Sequence, residues 1–225
     1  MNHFIISAFA TFVATFFMST FFVFSPVVKE RLFGLYWTSI AFWSFTVAFQ
    51  YQLLRYVPAQ IWGWFLHLGC LFVPAIFLHF VVEYTGGRHN LRAVVKASYL
   101  LTVAYLLLNT FSNLFTLGTS YRDNYAYPTP RVLYPVYFVS FVMMVTYGTI
   151  LLFRHGMNYS AKSRKWILVF LIIHCLAYLG AMDNFLIMAD IRLFPLYPFG
   201  LYLVFPYALL GGYSIYRLRE CIART

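Results

Sequence analysis

Long apolar runs separated by short polar segments repeat along the whole chain of 225 residues. Each run is about 20 residues long, which is the length of α-helix that crosses the hydrocarbon core of a bilayer. Their continuous apolar character favours helices over barrel strands, which would show about ten residues of alternation. The pattern predicts seven transmembrane helices over residues 4–25, 33–54, 60–84, 97–117, 132–153, 166–188 and 196–216. We therefore expect an all-α integral membrane protein, a seven-transmembrane-helix bundle that forms one domain over residues 1–225.

The composition supports a lipid environment for most of the chain. Hydrophobic residues make up 62% of it and aromatic residues 22%. A chain of this size cannot bury so much apolar surface inside one soluble core, so lipid must surround most of it. The polar segments between the apolar runs are short, and none is long enough to form a second domain.

The distribution of lysine and arginine predicts the orientation of the bundle. Positively charged loops resist translocation and stay in the cytoplasm. One side of the predicted bundle carries twelve of the sixteen basic residues, namely Lys29, Arg31, Arg88, Arg92, Lys96, Arg154, Lys162, Arg164, Lys165, Arg217, Arg219 and Arg224. The N-terminus is therefore predicted outside and the C-terminus in the cytoplasm. The net charge of +10 then indicates topology and contact with anionic membrane lipids, and we expect no nucleic-acid partner.

Motifs that carry chemistry are sparse in this sequence. Cys70 and Cys175 fall inside predicted spans and Cys221 in the tail, so no disulfide is expected. There is no CxxC pattern, no glycine-rich phosphate loop and no GxSxG elbow. Retinal proteins need a lysine in the last helix, and no lysine follows Lys165. We therefore predict no catalytic residues, no metal site and no cofactor.

Polar residues within the predicted spans converge on the outer half of the bundle. A buried polar group in lipid is costly unless it faces the bundle interior or water. The residues concerned are Gln50, Gln52, His67, Asn109, Asn113, Asp183 and Asn184. One interpretation is a ligand pocket formed by Asp183, Asn184, His67, Asn109, Asn113 and Gln50, which Trp62, Trp64, Tyr121, Tyr125 and Tyr127 would cover or rim. The other is that these side chains lie at the headgroup level, where polar and aromatic groups are inexpensive.

Three further histidines, His79, His155 and His174, are candidate ligands. His174 lies near the middle of its span, and we expect it to form a hydrogen bond within the bundle. His79 and Glu83 are an i, i+4 pair on one helix face, a spacing that metal sites use. A metal would need a third ligand such as His155, so a hydrogen bond between His79 and Glu83 is the preferred interpretation.

Three segments resemble the N-terminal seven-helix sensor region of bacterial membrane histidine kinases. They are "LFVPAIFLHFVVEYTGG" (71–87), "SRKWILVFLIIHCLAYLGAMDNFLIMADIRLFPLYPFG" (163–200) and "YALLGGYSIYRLRE" (207–220). The matching features are Pro74 with Phe80, the basic entry to the sixth span, Asn184 at its exit, Pro195, Pro198 and Gly200 before the seventh, and Tyr213 to Leu218 at the output end. The length and topology of the whole chain also fit.

The resemblance implies a sensory input module of the bacterial inner membrane. A small-molecule or lipidic ligand would bind in the outer half of the bundle, and the last helix would signal to a cytoplasmic partner. Pro206, Gly211 and Gly212 are the candidate hinge, because proline removes a backbone donor and glycine lowers helix stability. The alternative is an ordinary kink of a membrane helix.

The sequence departs from complete kinases in one respect. It ends at "RLRECIART" with no phosphoacceptor histidine box and no ATP-binding region, so we expect no kinase activity in this chain.

A second hypothesis is an accessory or structural subunit of a larger membrane complex. Its support is the abundance of aromatic side chains, 26 Phe and 19 Tyr, which would give large surfaces for contact with a partner.

Overall fold

Eight helices and one β-hairpin make up the structure, which is a computed structural model that describes residues 3–86, 89–122, 125–188, 191 and 200–223. The helices are α1 (His3–Val23), α2 (Val28–Ala48), α3 (Gln50–Tyr56), α4 (Ala59–Tyr84), α5 (His89–Phe111), α6 (Tyr134–Gly156), α7 (Ala161–Met188) and α8 (Gly200–Ala223). The strands are β1 (Thr116–Arg122) and β2 (Tyr125–Pro130). Every helix except α3 is long, and each long helix overlaps one of the predicted spans.

Five of the helices within the described residues are long and apolar enough to cross a membrane. They are α1, α4, α5, α6 and α7. The other two long helices carry charged residues at one end, such as Glu30 in α2 and Arg219 in α8, which lower their mean hydropathy. Apolar character alone therefore supports a multi-pass membrane protein and five spans.

Two predicted spans are displaced along the chain. The second was predicted over 33–54, whereas α2 runs from Val28 to Ala48 and the short α3 follows. The fourth was predicted over 97–117, whereas α5 begins at His89 and ends at Phe111. Both predictions started after the last charged residue. In the structure the charged residues belong to the first turns of the helices, where Arg31, Arg92 and Lys96 are exposed and Glu30 is buried.

The β-hairpin corrects the expectation of an all-α structure. Strands β1 and β2 pair antiparallel, with Ser120 opposite Tyr127, and Gly118 adopts a positive φ of 61° at an irregularity of the register. The segment contains two prolines and the glycine, which the strand pattern disfavours, so its sequence predicted a loop. Thr119 Oγ1 donates a hydrogen bond to the carbonyl oxygen of Ala59, which fixes β1 to the start of α4.

Six of the long helices form a closed ring around an aromatic core. The neighbouring pairs are α1 with α2, α2 with α4, α4 with α6, α6 with α7, α7 with α8, and α8 with α1. Helix α5 packs against α4 on the outside of this ring. Within their apolar stretches 72% of α4 but only 22% of α5 is buried, so α4 is central and α5 peripheral.

The two ends of the bundle differ in character. The hairpin end carries α3, the β-hairpin and the start of α8. The basic end carries the turns α1–α2, α4–α5 and α6–α7 and the end of α8, with most of the lysines and arginines. Contacts across the basic end confirm this arrangement, because Arg219 of α8 lies against Glu30 of α2, and Lys29 lies over the ring of Tyr84.

Candidate functional site

A cavity of about 100 Å³ lies inside the ring, toward the hairpin end. Its walls come from α2, α4, α6, α7 and α8, and β2 contributes Tyr127. The described lining residues are Tyr36, Ile40, Trp43, Leu66, His67, Cys70, Val73, Tyr127, Tyr134, Phe141, Ala177, Tyr178, Ala181, Asn184, Phe185, Val204 and Tyr207. None of these carries a formal charge at neutral pH, so the described wall is suited to an uncharged ligand.

His67 lines the cavity with its ring held by the backbone of its own helix. Its Nδ1 lies 2.9 Å from the carbonyl oxygen of Gly63, and because a carbonyl can only accept, Nδ1 carries the hydrogen. The ring also meets Phe115 and Tyr134 edge-on, with ring centroids 5.4 and 5.8 Å apart. The imidazole is thus pinned in one orientation at the wall.

Asn184 lines the same cavity from α7. Its side-chain nitrogen Nδ2 is buried and has no hydrogen-bond partner among the described residues. A buried donor without a partner is costly, and such groups commonly mark the place where a ligand or water supplies the acceptor. The space beside it is tight, because a Cβ added to Gly200 would lie 3.1 Å from this nitrogen.

A buried network of three tyrosines and a histidine forms one side of the cavity. The hydroxyl of Tyr36 lies 3.0 Å from that of Tyr207 and 3.3 Å from that of Tyr178. The hydroxyl of Tyr207 also lies 2.8 Å from Nδ1 of His174. Because these hydroxyls bond to one another, the tyrosines present mainly their rings to the cavity. The network joins α2, α7 and α8.

The expected hydrogen bond of His174 within the bundle is present. Its ring stacks on Phe77 at a centroid distance of 4.3 Å and an interplanar angle of 22°. The second ring nitrogen, Nε2, is buried without a partner among the described residues. His174 therefore supports the wall from behind, since it is not among the residues that line the cavity.

Three of the other predicted site residues, Asn109, Asn113 and Gln50, are not among the described residues that line this cavity. Asn109 and Asn113 border a separate groove between α4, the end of α5 and β1. Oδ1 of Asn109 accepts a hydrogen bond of 2.7 Å from Thr116, which ties α5 to the hairpin. Gln50 is buried at the start of α3 and lines none of the described cavities. The side chain of Asp183 lies outside the described part of the structure.

Sequence reasoning missed the aromatic half of the wall. Tyr36, Tyr178 and Tyr207 were not singled out, because a tyrosine in an apolar span looks like any other core or interface residue. Their depth was the available signal, since a phenol well inside a membrane span needs a buried hydrogen-bond partner. The small residues Ala177 and Ala181, which leave the space open, gave no signal at all.

The predicted hydrogen bond between His79 and Glu83 is wrong for the structure described. Nδ1 of His79 lies 3.2 Å from the hydroxyl of Tyr99 on α5, because the ring turns toward the neighbouring helix. His155, the suggested third ligand, has its Nε2 3.1 Å from the hydroxyl of Tyr159. Among the described residues no group of three metal-ligating side chains is found.

The predicted hinge residues lie in a helix that continues without interruption from Gly200 to Ala223. Pro206 lies within its second turn. A Cβ on Gly211 would lie 3.0 Å from the ring of Tyr207, and Gly212 faces the thioether of Met18 on α1. The two glycines therefore allow close packing of α8, and their action as a hinge stays a prediction.

Fold and cavity together define a multi-pass helical membrane protein with a small internal site. The family described as the N-terminal 7TM region of histidine kinase matches residues 4–219, nearly the whole chain, so the chain belongs to this family. This confirms the resemblance found in the sequence and makes the chain a membrane sensor region of signal transduction. No curated protein and no solved structure is significantly similar to the chain.

Proposed function

We propose that this chain is a sensory input module whose seven long helices all cross the membrane. The N-terminus would lie outside and the basic end in the cytoplasm, as expected for the inner membrane of a bacterium. The support is the segregation of lysine and arginine to one end of the bundle, together with family membership. Helices α2 and α8 cross in spite of their charged ends, because those charges lie at the basic end.

The ligand is an uncharged, mainly apolar small molecule or the end of a lipid chain. The single observation that carries this proposal is the cavity inside the ring, with the amide nitrogen of Asn184 at its wall and without a hydrogen-bond partner among the described residues. An engineered apolar cavity of about 150 Å³ is known to take up benzene, so about 100 Å³ suits a small ring or a short branched chain. The amide would bond to one acceptor, such as a carbonyl or ether oxygen.

Binding is signalled through α8 in this proposal. Tyr207 lines the cavity, bonds to Tyr36 and His174, and packs against the backbone at Gly211 one turn further along α8. A ligand that displaces the ring of Tyr207 would therefore change the packing of α8 beneath it. Helix α8 then leads to the basic end, where a cytoplasmic signalling partner would receive the change.

Membership of a sensor family favours this function over an accessory subunit. A structural subunit needs no internal cavity, and its buried amide would be satisfied by neighbouring side chains. In the structure the Asn184 amide nitrogen has no such partner among the described residues.

The test is native mass spectrometry of the chain after gentle release from bacterial membranes. The wild type should retain a small neutral molecule. The variant Ala181→Phe should not, because the added ring fills the cavity. The matched control is Ala104→Phe, which adds the same ring on the exposed face of α5. Equal retention by the wild type and Ala181→Phe would overturn the proposed site.

A further inference from the structure

A second cavity of about 590 Å³ opens between α4 and α5 at the basic end, on the outside of the ring. One wall comes from α4 with His79, Val82 and Glu83. The other comes from successive turns of one face of α5, from Arg92 to Val103. We call this the α4–α5 groove. The groove is separate from the cavity inside the ring, and the proposed sensory function does not involve it.

The groove has the length of one leaflet of a membrane. Arg92 and Val103 are separated by about 16 Å along α5, at about 1.5 Å of rise per residue. Half of a hydrocarbon core of about 30 Å is about 15 Å. The polar end lies at the basic end of the bundle, and the apolar residues Leu100 and Val103 lie toward the membrane centre. This polarity matches a phospholipid that stands upright in the leaflet.

The apolar part of the groove needs an occupant. Most of α5 is unburied, and Leu100 is 72% exposed and Val103 43%. Nδ1 of His79 lies 3.2 Å from the hydroxyl of Tyr99. This contact closes the floor of the groove, and α4 and α5 do not come closer to each other. In a membrane an acyl chain fills such a space, because a void there forfeits the dispersion contacts of its lining.

Charge decides which lipid suits the polar end. Arg92 and Lys96 lie one turn apart and are both exposed, and no described acidic side chain forms an ion pair with either. Glu83 is the acidic residue of the described lining, which with His79 neutral carries a net charge of +1. A phosphodiester has one negative charge and would lie between the two cations. Glu83 would accept a hydrogen bond from a hydroxyl of the headgroup.

We infer that the α4–α5 groove is a specific site for an anionic glycerophospholipid of the phosphatidylglycerol type. Its phosphate binds Arg92 and Lys96, its glycerol hydroxyl donates to Glu83, and an acyl chain lies along Val95, Tyr99 and Val103. The assignment to the cytoplasmic leaflet rests on the topology proposed above, whereas the lipid chemistry does not depend on it or on the inner cavity.

The experiment uses the full chain in nanodiscs of phosphatidylcholine with a minor fraction of phosphatidylglycerol. Native mass spectrometry then counts the phosphatidylglycerol that stays bound after the disc is removed. The wild type should retain one such molecule in excess of the bulk fraction. Arg92→Gln with Lys96→Gln should lower the affinity for the lipid about thirtyfold, since each cation contributes about 1 kcal/mol at an anionic surface and about 1.4 kcal/mol is a factor of ten.

The matched control removes the same charge elsewhere at the basic end, by Arg154→Gln with Lys162→Gln, both exposed outside the groove. It should retain the lipid as the wild type does.

Val103→Trp, which narrows the apolar end and leaves the charges intact, should weaken retention. Equal losses in both charge variants would overturn the inference, as would a groove occupied by a second copy of the chain, seen as a lipid-free dimer.

Discussion

Tyr207 is the residue that connects most parts of the proposed mechanism. It lines the cavity inside the ring and bonds to Tyr36 at 3.0 Å and to His174 at 2.8 Å, and its ring lies 3.0 Å from the position that a Cβ on Gly211 would take. Each of these contacts lies within the bundle, where water does not replace a lost hydrogen bond. The hydroxyl therefore has consequences for stability and, in the proposed function, for signalling.

We expect Tyr207→Phe to destabilise the protein by about 1 to 2 kcal/mol. The change removes two hydrogen bonds and leaves both ring nitrogens of His174 without a described partner. Each hydrogen bond between membrane helices contributes on the order of 0.6 kcal/mol to stability. Unfolding of the chain in mixed micelles by increasing fractions of SDS measures the change. The control Tyr213→Phe, on the exposed face of the same helix, should alter stability by less than about 0.5 kcal/mol. Equal effects would show that the network contributes nothing of its own.

Asn184 gives a prediction for binding at the same scale. Asn184→Leu replaces a buried amide nitrogen that has no partner among the described residues by an apolar group of similar size, so we expect stability to stay equal or rise by about 1 kcal/mol. Retention of the neutral ligand should fall, because the donor to its acceptor is lost. Native mass spectrometry and SDS unfolding on the same sample measure both quantities. A loss of stability would show that the amide has a partner that the described residues do not include.

Among the elements, the helix crossings depend on glycine. Gly69 of α4 lies directly against the backbone of Trp43 in α2, and a Cβ there would be 2.7 Å from the amide nitrogen of Trp43. Backbone atoms cannot move aside without moving their helix. Small residues at helix crossings are the usual means by which membrane helices approach closely.

Gly69→Ala is therefore expected to destabilise the bundle by about 1 to 3 kcal/mol, although alanine is the better helix former. Gly63→Ala, one to two turns earlier in α4, is the control, because its Cβ meets only the side chain of Pro128, at 3.3 Å. The control should be neutral within about 1 kcal/mol. SDS unfolding distinguishes them, and a neutral result at Gly69 would mean that α2 and α4 separate at little cost.

The β-hairpin and the short α3 are the elements that the apolar pattern could not reveal. The hairpin is anchored by hydroxyl groups, Thr116 to Asn109 and Thr119 to the carbonyl oxygen of Ala59, and it covers the buried Phe115. The contact with Ala59 joins segments 60 residues apart in sequence. A pattern of neighbouring residues contains no information about such a contact.

On the scale of the whole molecule, the start of α2 and the end of α8 meet at the basic end. Glu30 is buried at the start of α2, accepts a hydrogen bond of 2.5 Å from Ser25, and forms an ion pair of 3.2 Å with Arg219 near the end of α8. The arginine side chain is 56% exposed, so the pair contributes little to global stability. Its effect is local, because it holds α8 against the α1–α2 turn.

We expect Arg219→Gln to increase amide hydrogen exchange in residues 24–32 by several fold, with little change elsewhere. The control Arg217→Gln removes a cation that pairs with Glu220 in the same helix, and it should leave residues 24–32 unchanged. Hydrogen exchange followed by mass spectrometry in nanodiscs provides the measurement. If both variants match the wild type, α8 is held at the basic end by packing alone.

The sequence by itself determined the class of this protein. A helical membrane bundle was predicted from the length and spacing of the apolar runs and from the basic residues at alternate loops. The sensor family was predicted from the segments 71–87, 163–200 and 207–220. The family match over residues 4–219 confirms that family. These features could be predicted because a bilayer imposes helix length and charge placement on each segment separately. His67 and Asn184 were found for the same reason, since a polar group in an apolar span is conspicuous.

Only the tertiary structure decided which predicted residues share a site. It placed His67 and Asn184 at one cavity, Asn109 and Asn113 at another groove, and the rings of Tyr36 and Tyr207 at the cavity wall. An internal cavity is a property of how helices cross, and the crossing is set by small contacts such as Gly69 against Trp43. Such contacts join residues distant in sequence, so the chemistry of the site follows from packing that no local pattern records.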